Sequence, residues 1–292
     1  MINKYTFNGL NATCKKEADK VSYRCCRNER PVMNNWWYIP YGNSEFTTIG
    51  ETPSGKDWPL VYFDRNIDGT FKYKNTGEKV AFDILPPDFL FDFEGEELDK
   101  VKRVAENLTS EQKMLAVFWG KGAAHNQFFP IFFNLINEYG IEIIPASRMF
   151  SVLSNALNDA MIICWYYKYK FQIPRPVQYD PDFKAYISTP HHPTYPAGHS
   201  VFAGCFAKIA SYYFPTEKEK IYALSQECSI SRIYGGVHFM PDLDNGFALG
   251  LDIGNKIINI IKNDSDLNSC NINWITKDFL DVDIDPKPNK NS

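Results

Sequence analysis

The feature that most constrains the fold is a helical periodicity of apolar residues that runs from about residue 97 to residue 263. Apolar side chains return there every three or four positions, which is the repeat of a helix with one buried face. Segments of these lengths are typical of a packed helical bundle. The predicted helices are 97–107, 110–120, 123–139, 146–168, 198–213, 217–234 and 243–262.

The residues before this region, 1–95, predict an irregular, aromatic-rich segment that serves as a lid or a packing extension. Stretches such as NNWWYIPYG and LPPDF interrupt any regular spacing with proline and glycine. We expect one β-hairpin in TFKYKNTGEKVAF, around the turn Asn75-Thr76-Gly77. DRNIDG (64–69) has the first half of a calcium loop, but Asn75 stands where a glutamate should close it. A turn is therefore the better interpretation.

Composition and charge exclude several classes of function. A net charge of −4 over 292 residues gives no electrostatic footprint for nucleic acid. The chain lacks both a run of 18 apolar residues and the apolar core of a signal peptide, so we expect no membrane span and a soluble, cytoplasmic protein. Secretion after removal of a leader is the alternative. Seven cysteines in an odd, scattered arrangement argue against a disulfide framework or a zinc site. We expect those on helix faces, Cys164, Cys205 and Cys228, to be buried thiols.

Three predicted helices place a basic side chain on the face expected to point into the core. Lys168 continues the apolar stripe of helix 146–168, His199 lies in the first turn of an apolar helix, and Arg232 continues a third stripe. Each has an ordinary alternative, a lysine at a helix end or a histidine near a cap. Three separate core-facing cations would make a poor core, so convergence on one anion is the better explanation. The free N–H groups of a helix that begins at Gly198 would strengthen such a site.

Two loops add polar groups to the same place. Pro174 and Pro176 force Arg175 into extended backbone just after a helix has ended. The pair Gly235-Gly236 lets the chain leave its helix, so that His238 can approach Arg232 from a loop. Asp242, four positions further on, is suited to orient that imidazole.

Two further patterns concern the later helices and the end of the chain. Thr216-x-x-Glu219 predicts a capping box at the start of helix 217–234. Glycines at 246, 250 and 254 predict close packing of the last helix against a neighbour. Residues 264–292 form a predicted C-terminal tail, whose last stretch, DVDIDPKPNKNS, we expect to be solvated.

Taken in order, these motifs resemble the vanadium haloperoxidase and phosphatidic acid phosphatase type 2 superfamily, in its haloperoxidase-like soluble branch. They are Lys168-x6-Arg175-Pro176, Pro196-Ala197-Gly198-His199 and Ser231-Arg232-x5-His238-x3-Asp242. The resemblance covers about residues 97–262. It implies a mainly α fold, a helical bundle of the vanadium haloperoxidase and acid phosphatase type, whose domain at 96–263 holds vanadate as cofactor, with phosphate competing for the same site.

The resemblance also implies a role for each matching residue. Three basic side chains and one backbone N–H would bind the oxyanion: Lys168, Arg175, Arg232 and Gly198. His238 would be the vanadate ligand, or the nucleophile toward phosphorus. Asp242 would orient the His238 ring, and His199 would act as the acid and base.

One position departs from the pattern of the superfamily. Ala197 stands where the family usually has serine, so one hydrogen bond to the oxyanion is missing. Such a bond contributes about 0.5–3 kcal/mol to binding, with the larger values when the acceptor is charged. Ser200 is the neighbouring hydroxyl that could compensate for it. The departure concerns the strength of oxyanion binding rather than the identity of the site.

Two residues favour halide oxidation. Trp165, three positions before Lys168, resembles an aromatic wall of fungal chloroperoxidases. His192, seven positions before His199, resembles a histidine of algal bromoperoxidases. Together they favour bromide or iodide over chloride, and the alternative is that His191-His192 is a solvated loop.

Three functions therefore remain open. The first is a vanadate-dependent haloperoxidase that oxidises bromide or iodide with hydrogen peroxide. The second is a soluble acid phosphatase-type phosphomonoesterase that cleaves a phosphate ester through a phosphohistidine. The third is a non-catalytic oxyanion-binding protein, which Ala197 suggests. The oligomeric state is open, with a homo-oligomer among the alternatives.

Overall fold

The structure, a computed structural model, describes residues 36–41, 50–87 and 90–287. The predicted succession of helices is present, with bounds that differ from the expected ones by a few residues. The helices are α1 Glu96–Glu106, α2 Ser110–Gly120, α3 His125–Glu138, α4 Ile143–Phe171, α5 Pro176–Tyr179, α6 Gly198–Tyr213, α7 Lys218–Tyr234 and α8 Met240–Ile261. The fold is mainly α, as the sequence predicts.

A small antiparallel sheet precedes the helices. Its strands are β1 Phe63–Arg65, β2 Phe71–Tyr73 and β3 Lys79–Val80. β2 and β3 form the predicted hairpin, and β1 pairs with the other edge of β2, with Phe63 opposite Tyr73. Between β1 and β2 the chain makes a turn, in which the Gly69 N–H donates to the Asn66 carbonyl at 3.0 Å.

The sheet is attached to α4 through one buried carboxylate. Asp159 is fully buried and accepts hydrogen bonds from the backbone N–H groups of Val61 and Tyr62, each at 2.7 Å. Phe63 and Phe71 lie in the same hydrophobic core as the helices. The N-terminal sheet is therefore packed against the bundle.

Helices α4, α6 and α8 form the centre of the bundle, and α6 and α8 pack with almost no side-chain layer between them. A Cβ at Gly250 would lie 2.2 Å from the Val201 carbonyl oxygen, and one at Gly246 would lie 3.0 Å from the Ala197 carbonyl oxygen. The predicted close packing of the last helix is thus confirmed. The predicted buried thiols Cys164, Cys205 and Cys228 also lie in this core, whereas Cys14, Cys25 and Cys26 lie outside the described residues.

Two local predictions are wrong. Helix α7 begins at Lys218 without a side-chain cap, because Pro215–Glu217 forms a 3₁₀ turn and the Thr216 hydroxyl donates instead to the Asp278 carbonyl at 2.9 Å. The described part of the stretch expected to be solvated, residues 281–287, is docked on the bundle, whereas residues 288–292 lie outside the described residues. Val282 and Ile284 are buried in the core of the bundle, since the chain from 276 onward runs along its surface. The division of the chain at residues 95 and 263 stays a prediction.

Within the described ranges, none of the helices combines the length and the apolar character that crossing a lipid bilayer requires.

Candidate active site

Lys168 lies in the last turn of α4 and is fully buried. Its ammonium group donates to the carbonyl oxygens of Pro193 and Thr194, at 2.7 and 2.9 Å. Burial lowers the pKa of Lys168, and the neighbouring guanidinium of Arg175 lowers it further. An anion beside this group would reverse that shift, because it favours the charged form.

Arg175 follows α4 in extended backbone and precedes the short helix α5. The side chain of Gln178 accepts from the Arg175 backbone N–H at 2.8 Å, which fixes this turn. The guanidinium is fully buried and donates to the carbonyl oxygens of His192 and Val237, at 2.9 and 2.6 Å. Burial lowers the pKa of Arg175.

His238 and Asp242 meet as the sequence expects. His238 Nδ1 lies 2.9 Å from Asp242 Oδ2, and His238 Nε2 lies 2.9 Å from a terminal nitrogen of Arg175. Because a guanidinium only donates, Nε2 must accept, so the ring proton is on Nδ1 and points toward Asp242. Burial lowers the pKa of His238 well below its ordinary value and raises that of Asp242. His238 is therefore a neutral imidazole with a lone pair on Nε2.

His199 lies in the first turn of α6, next to Gly198. Its Nε2 is buried and has no hydrogen-bond partner among the described residues. Burial and the nearby charge of Arg232 lower the pKa of His199 well below its usual range. A neutral imidazole with an unpaired buried nitrogen is suited to accept a proton from a group bound beside it.

Arg232 ends α7 and reaches the site from the side of α2. Its guanidinium donates to the Ala116 carbonyl at 3.0 Å and to the Ser231 hydroxyl at 2.9 Å. A Cβ at Gly120 would lie only 3.2 Å from it, so glycine there makes room for this side chain. Burial lowers the pKa of Arg232 to about 10.

Gly198 borders the site, since a Cβ there would lie 3.8 Å from Lys168 Cε and 3.6 Å from the Trp165 ring. Ala197, just before it, is fully buried and leaves the start of α6 without a side-chain cap. The Ser200 hydroxyl is hydrogen-bonded to the Ser229 hydroxyl at 2.6 Å. The structure thus directs the Ser200 hydroxyl toward Ser229 of α7.

Trp165 and His192 lie together at the edge of the site, with ring centroids 4.8 Å apart. His192 Nδ1 lies 3.0 Å from Arg175, and on the other side His192 Nε2 lies 3.9 Å from the carboxylate of Glu51. The His192 side chain is only 10% exposed and that of Glu51 is 60% exposed. His192 is therefore not part of a solvated loop, and it stands between the buried guanidinium and the surface.

The charges of the site are unbalanced. Lys168, Arg175 and Arg232 are all buried, and in the described part of the chain none of them forms an ion pair with a carboxylate. Asp242 is the carboxylate that contacts the site histidine. Buried charges need a partner of opposite sign, so the arrangement favours an anion with several acceptor oxygens.

Two contacts of the site were not predicted from the sequence. The Thr194 hydroxyl lies 3.0 Å from His238 Nδ1 and 2.5 Å from Asp242 Oδ2. The Glu51 carbonyl accepts from Trp165 Nε1 at 3.2 Å, which brings the N-terminal segment to the edge of the site. The sequence points to Thr194 only through its position within HHPTYPAGHS. No periodicity in this stretch indicates that the threonine is buried.

The helical bundle brings this cluster of basic side chains and histidines together, and the residues come from the three predicted motifs. Residues 149–265 match the PAP2 superfamily. The superfamily predicted from the motifs is thereby confirmed for this part of the chain.

The fold is similar to that of two bacterial enzymes of known structure. A bacterial vanadium-dependent iodoperoxidase superimposes with a TM-score of 0.61 and 22% identity, over 81% of this chain and 63% of that chain. The holo form of a bacterial vanadium-dependent chloroperoxidase gives a TM-score of 0.59 and 16% identity, over 77% and 58% of the two chains. At these identities the likeness concerns the fold.

A curated relative is of the phosphatase type. Phosphatidylglycerophosphatase B of Bacillus subtilis (strain 168) is 33% identical over 69 residues, which are 20% of this chain and 34% of that protein. This chain thus spans less than two thirds of each of the three relatives.

Proposed function

We propose that the protein is a vanadate-dependent haloperoxidase that oxidises bromide or iodide with hydrogen peroxide. The observation that carries the proposal is the group of three buried basic side chains, unpaired with any carboxylate in the described residues, around His238 and His199. Such a group fits a compact oxyanion of high charge.

The residues present fit vanadate. Lys168, Arg175 and Arg232 would offset its negative charge. His238 would bind it through Nε2, which keeps its lone pair because the Asp242 contact holds the ring proton on Nδ1. The Arg175 N–H that Nε2 accepts from in this structure would then turn to the oxyanion. Bound vanadate would supply the Lewis-acid centre that activates peroxide for two-electron oxidation of a halide.

His199 would handle the proton of the reaction. Oxidation of bromide by hydrogen peroxide consumes one proton and yields hypobromous acid and water. The unpaired Nε2 of neutral His199 can accept a proton from incoming peroxide and return it to the departing oxygen. The low pKa of His199 supports this role, because it keeps the lone pair available near neutral pH.

The halide would enter beside Trp165 and His192. Their rings lie next to each other between the surface and the buried Arg175. An aromatic wall beside a guanidinium suits a large, polarisable anion, because it offers both dispersion contacts and positive charge. This supports bromide or iodide as the substrate.

The experiment that tests the proposal is bromination of a small diketone with peroxide and bromide, by chelator-stripped protein with and without orthovanadate. We expect activity that requires vanadate and falls about 100-fold or more in His199→Ala. His191→Ala is the matched control, since His191 is an exposed neighbour of the site. Unchanged activity after removal of vanadate would contradict the proposal.

The match to phosphatidylglycerophosphatase B favours a second candidate, phosphate-ester hydrolysis. His238 Nε2 would attack phosphorus and form the N–P bond as the bond from phosphorus to the ester oxygen breaks. The negative charge of the bound ester would raise the pKa of His199, which would bind with the ester in its protonated form and give its proton to the leaving oxygen. Water would then release phosphate. Release of phosphate from an ester, with phosphohistidine trapped during turnover, would establish this candidate. Tight binding of phosphate or vanadate without either activity would establish a binding protein instead.

A further inference from the structure

The Thr194 hydroxyl contacts both members of the His238–Asp242 pair. Its oxygen lies 2.5 Å from Asp242 Oδ2 and 3.0 Å from His238 Nδ1, while these two atoms lie 2.9 Å from each other. All three side chains are buried. The three polar atoms form a closed triangle on the side of the imidazole that faces away from Arg175.

The protons of this triangle can be assigned. The proton of the His238 ring is on Nδ1, because Nε2 accepts from Arg175. An ionised carboxylate only accepts, so the Thr194 hydroxyl donates to Asp242. The Thr194 oxygen is then left as an acceptor, and the single Nδ1–H is shared between it, at 3.0 Å, and Asp242 Oδ2, at 2.9 Å. Thr194 therefore holds the carboxylate and the imidazole at the same time.

The main chain of Thr194 is fixed independently of its hydroxyl. Its N–H donates to the Ile173 carbonyl at 2.9 Å, and its carbonyl accepts from the Lys168 ammonium at 2.9 Å. Replacing the hydroxyl by a methyl group should therefore leave the loop in place. The change would act on the contacts of the side chain alone.

Asp242 depends on few contacts. Its Oδ2 accepts from Thr194, from the Phe239 backbone N–H at 2.9 Å and from His238. Its Oδ1 is buried and has no hydrogen-bond partner within the described residues. Without the Thr194 bond, the carboxylate would keep two contacts: the Phe239 backbone N–H and the His238 ring that it orients.

We propose that Thr194 is a positioning residue, whose hydroxyl fixes the Asp242 carboxylate and the His238 ring so that Nε2 faces the bound oxyanion. The inference rests on the proposed oxyanion site, and it holds whether the reaction is halide oxidation or ester hydrolysis. Thr194 contacts the ligand-binding group and need not touch the oxyanion itself.

The test compares orthovanadate affinity by isothermal titration calorimetry for full-length wild type, Thr194→Val and Thr194→Ser. Valine keeps the shape of threonine without its hydroxyl, whereas serine keeps the hydroxyl. We expect Thr194→Val to weaken vanadate binding about 10- to 100-fold, which is typical for partners of a ligand histidine. Thr194→Ser should bind close to wild type.

Thr276→Val is the matched control for the loss of a buried hydroxyl. The Thr276 hydroxyl donates to the Tyr213 carbonyl at 3.1 Å, and Thr276 makes no contact with the site histidines. It should lower thermal stability to a similar extent as Thr194→Val but leave vanadate affinity unchanged. If Thr276→Val weakens vanadate binding as much as Thr194→Val does, the loss is a general effect of packing, and the proposal is overturned.

A double-mutant cycle separates positioning of His238 from other effects. In a His238→Ala background, Thr194→Val should cause no further loss of vanadate affinity, because the ring that it orients is gone. An equal loss in both backgrounds, or wild-type affinity in Thr194→Val, would overturn the proposal. Wild type that binds vanadate without turnover would refute the proposed catalysis alone, whereas wild type that does not bind vanadate would refute both.

Discussion

Ala197 is the residue at which this site differs most clearly from the pattern of its superfamily. It is fully buried just before Gly198 and His199, at the start of α6. The nearest candidate substitute, Ser200, is hydrogen-bonded to Ser229. Compared with the motif of the superfamily, the start of α6 therefore carries one side-chain hydroxyl fewer.

Restoring that hydroxyl should strengthen binding. A hydrogen bond to a charged group contributes about 1.5–3 kcal/mol. We expect Ala197→Ser to lower the dissociation constant for phosphate about 10- to 100-fold, measured by calorimetry on the full chain. Ser200→Ala is the matched control and should leave the affinity unchanged. If Ser200→Ala weakens binding while Ala197→Ser does not improve it, Ser200 supplies the donor after all.

At the same scale, sequence analysis identifies site residues whose charge conflicts with apolar surroundings, and it misses Thr194, which has no such conflict. Lys168, Arg175 and Arg232 could be selected because a basic group on a buried helix face, or between prolines, conflicts with its surroundings. Thr194 creates no such conflict, since threonine is common in loops. Its partners His238 and Asp242 lie 44 and 48 positions away, so only the folded chain reveals the contact.

At the scale of elements, the helices were predicted well in their centres and less well at their starts. α4 begins at Ile143 rather than 146, and α8 begins at Met240 rather than 243. Both have a proline in the first turn, Pro145 and Pro241. Proline is tolerated there because the first N–H groups of a helix have no intrahelical acceptor. From the sequence, each proline is interpreted as a residue outside the helix, so both predicted starts fall after it.

The contact of α6 with α8 should be the least tolerant of added volume. A Cβ at Gly250 would lie 2.2 Å from the Val201 carbonyl oxygen and 2.8 Å from the Cys205 backbone nitrogen, so the two helices would have to separate. We expect Gly250→Ala to lower the free energy of unfolding by about 1–3 kcal/mol, measured by urea denaturation.

Gly254 provides the matched comparison on the same helix. A Cβ there would lie 2.8 Å from Lys208 Cβ and 3.4 Å from the Cys205 carbonyl oxygen, a milder clash than the 2.2 Å contact with backbone at Gly250. Alanine also gains helix propensity over glycine by about 1 kcal/mol. Gly254→Ala should therefore cost less than Gly250→Ala, and equal costs would show that the backbone contact is not the limiting one.

At the scale of the whole molecule, segments before and after the helical bundle are bound to its surface by hydrogen bonds and an ion pair. The N-terminal sheet is bound through Asp159, and the Glu51 segment meets Trp165 at the edge of the site. The final segment is bound by Asn134, which donates to the Asp283 carbonyl at 2.7 Å, and by a 2.7 Å ion pair of Lys287 with Glu227.

The docking of this final segment was beyond sequence analysis for a physical reason. Between residues 281 and 287 only Val282 and Ile284 are aliphatic, and the alternating aspartates suggest a solvated strand. Two apolar residues are too few to establish a pattern. Their burial depends on α3 and α7, which the segment meets through Asn134 and Lys220, and no local stretch of sequence encodes these contacts.

Because these two side chains are buried at 6% and 5% exposure, their replacement should destabilise the bundle. Full burial of an aliphatic side chain is worth about 1.5–3 kcal/mol, and each kcal/mol shifts the melting temperature of a chain this size by about 2–4 °C. We expect the double variant Val282→Ser, Ile284→Ser to melt about 6–24 °C lower in a thermal scan. Leu267→Ser is the matched control, since Leu267 is fully exposed in the same terminal region and should leave the melting temperature unchanged. A double variant that melts with the wild type would mean that the segment rests on the bundle without stabilising it, and its deletion would then be harmless.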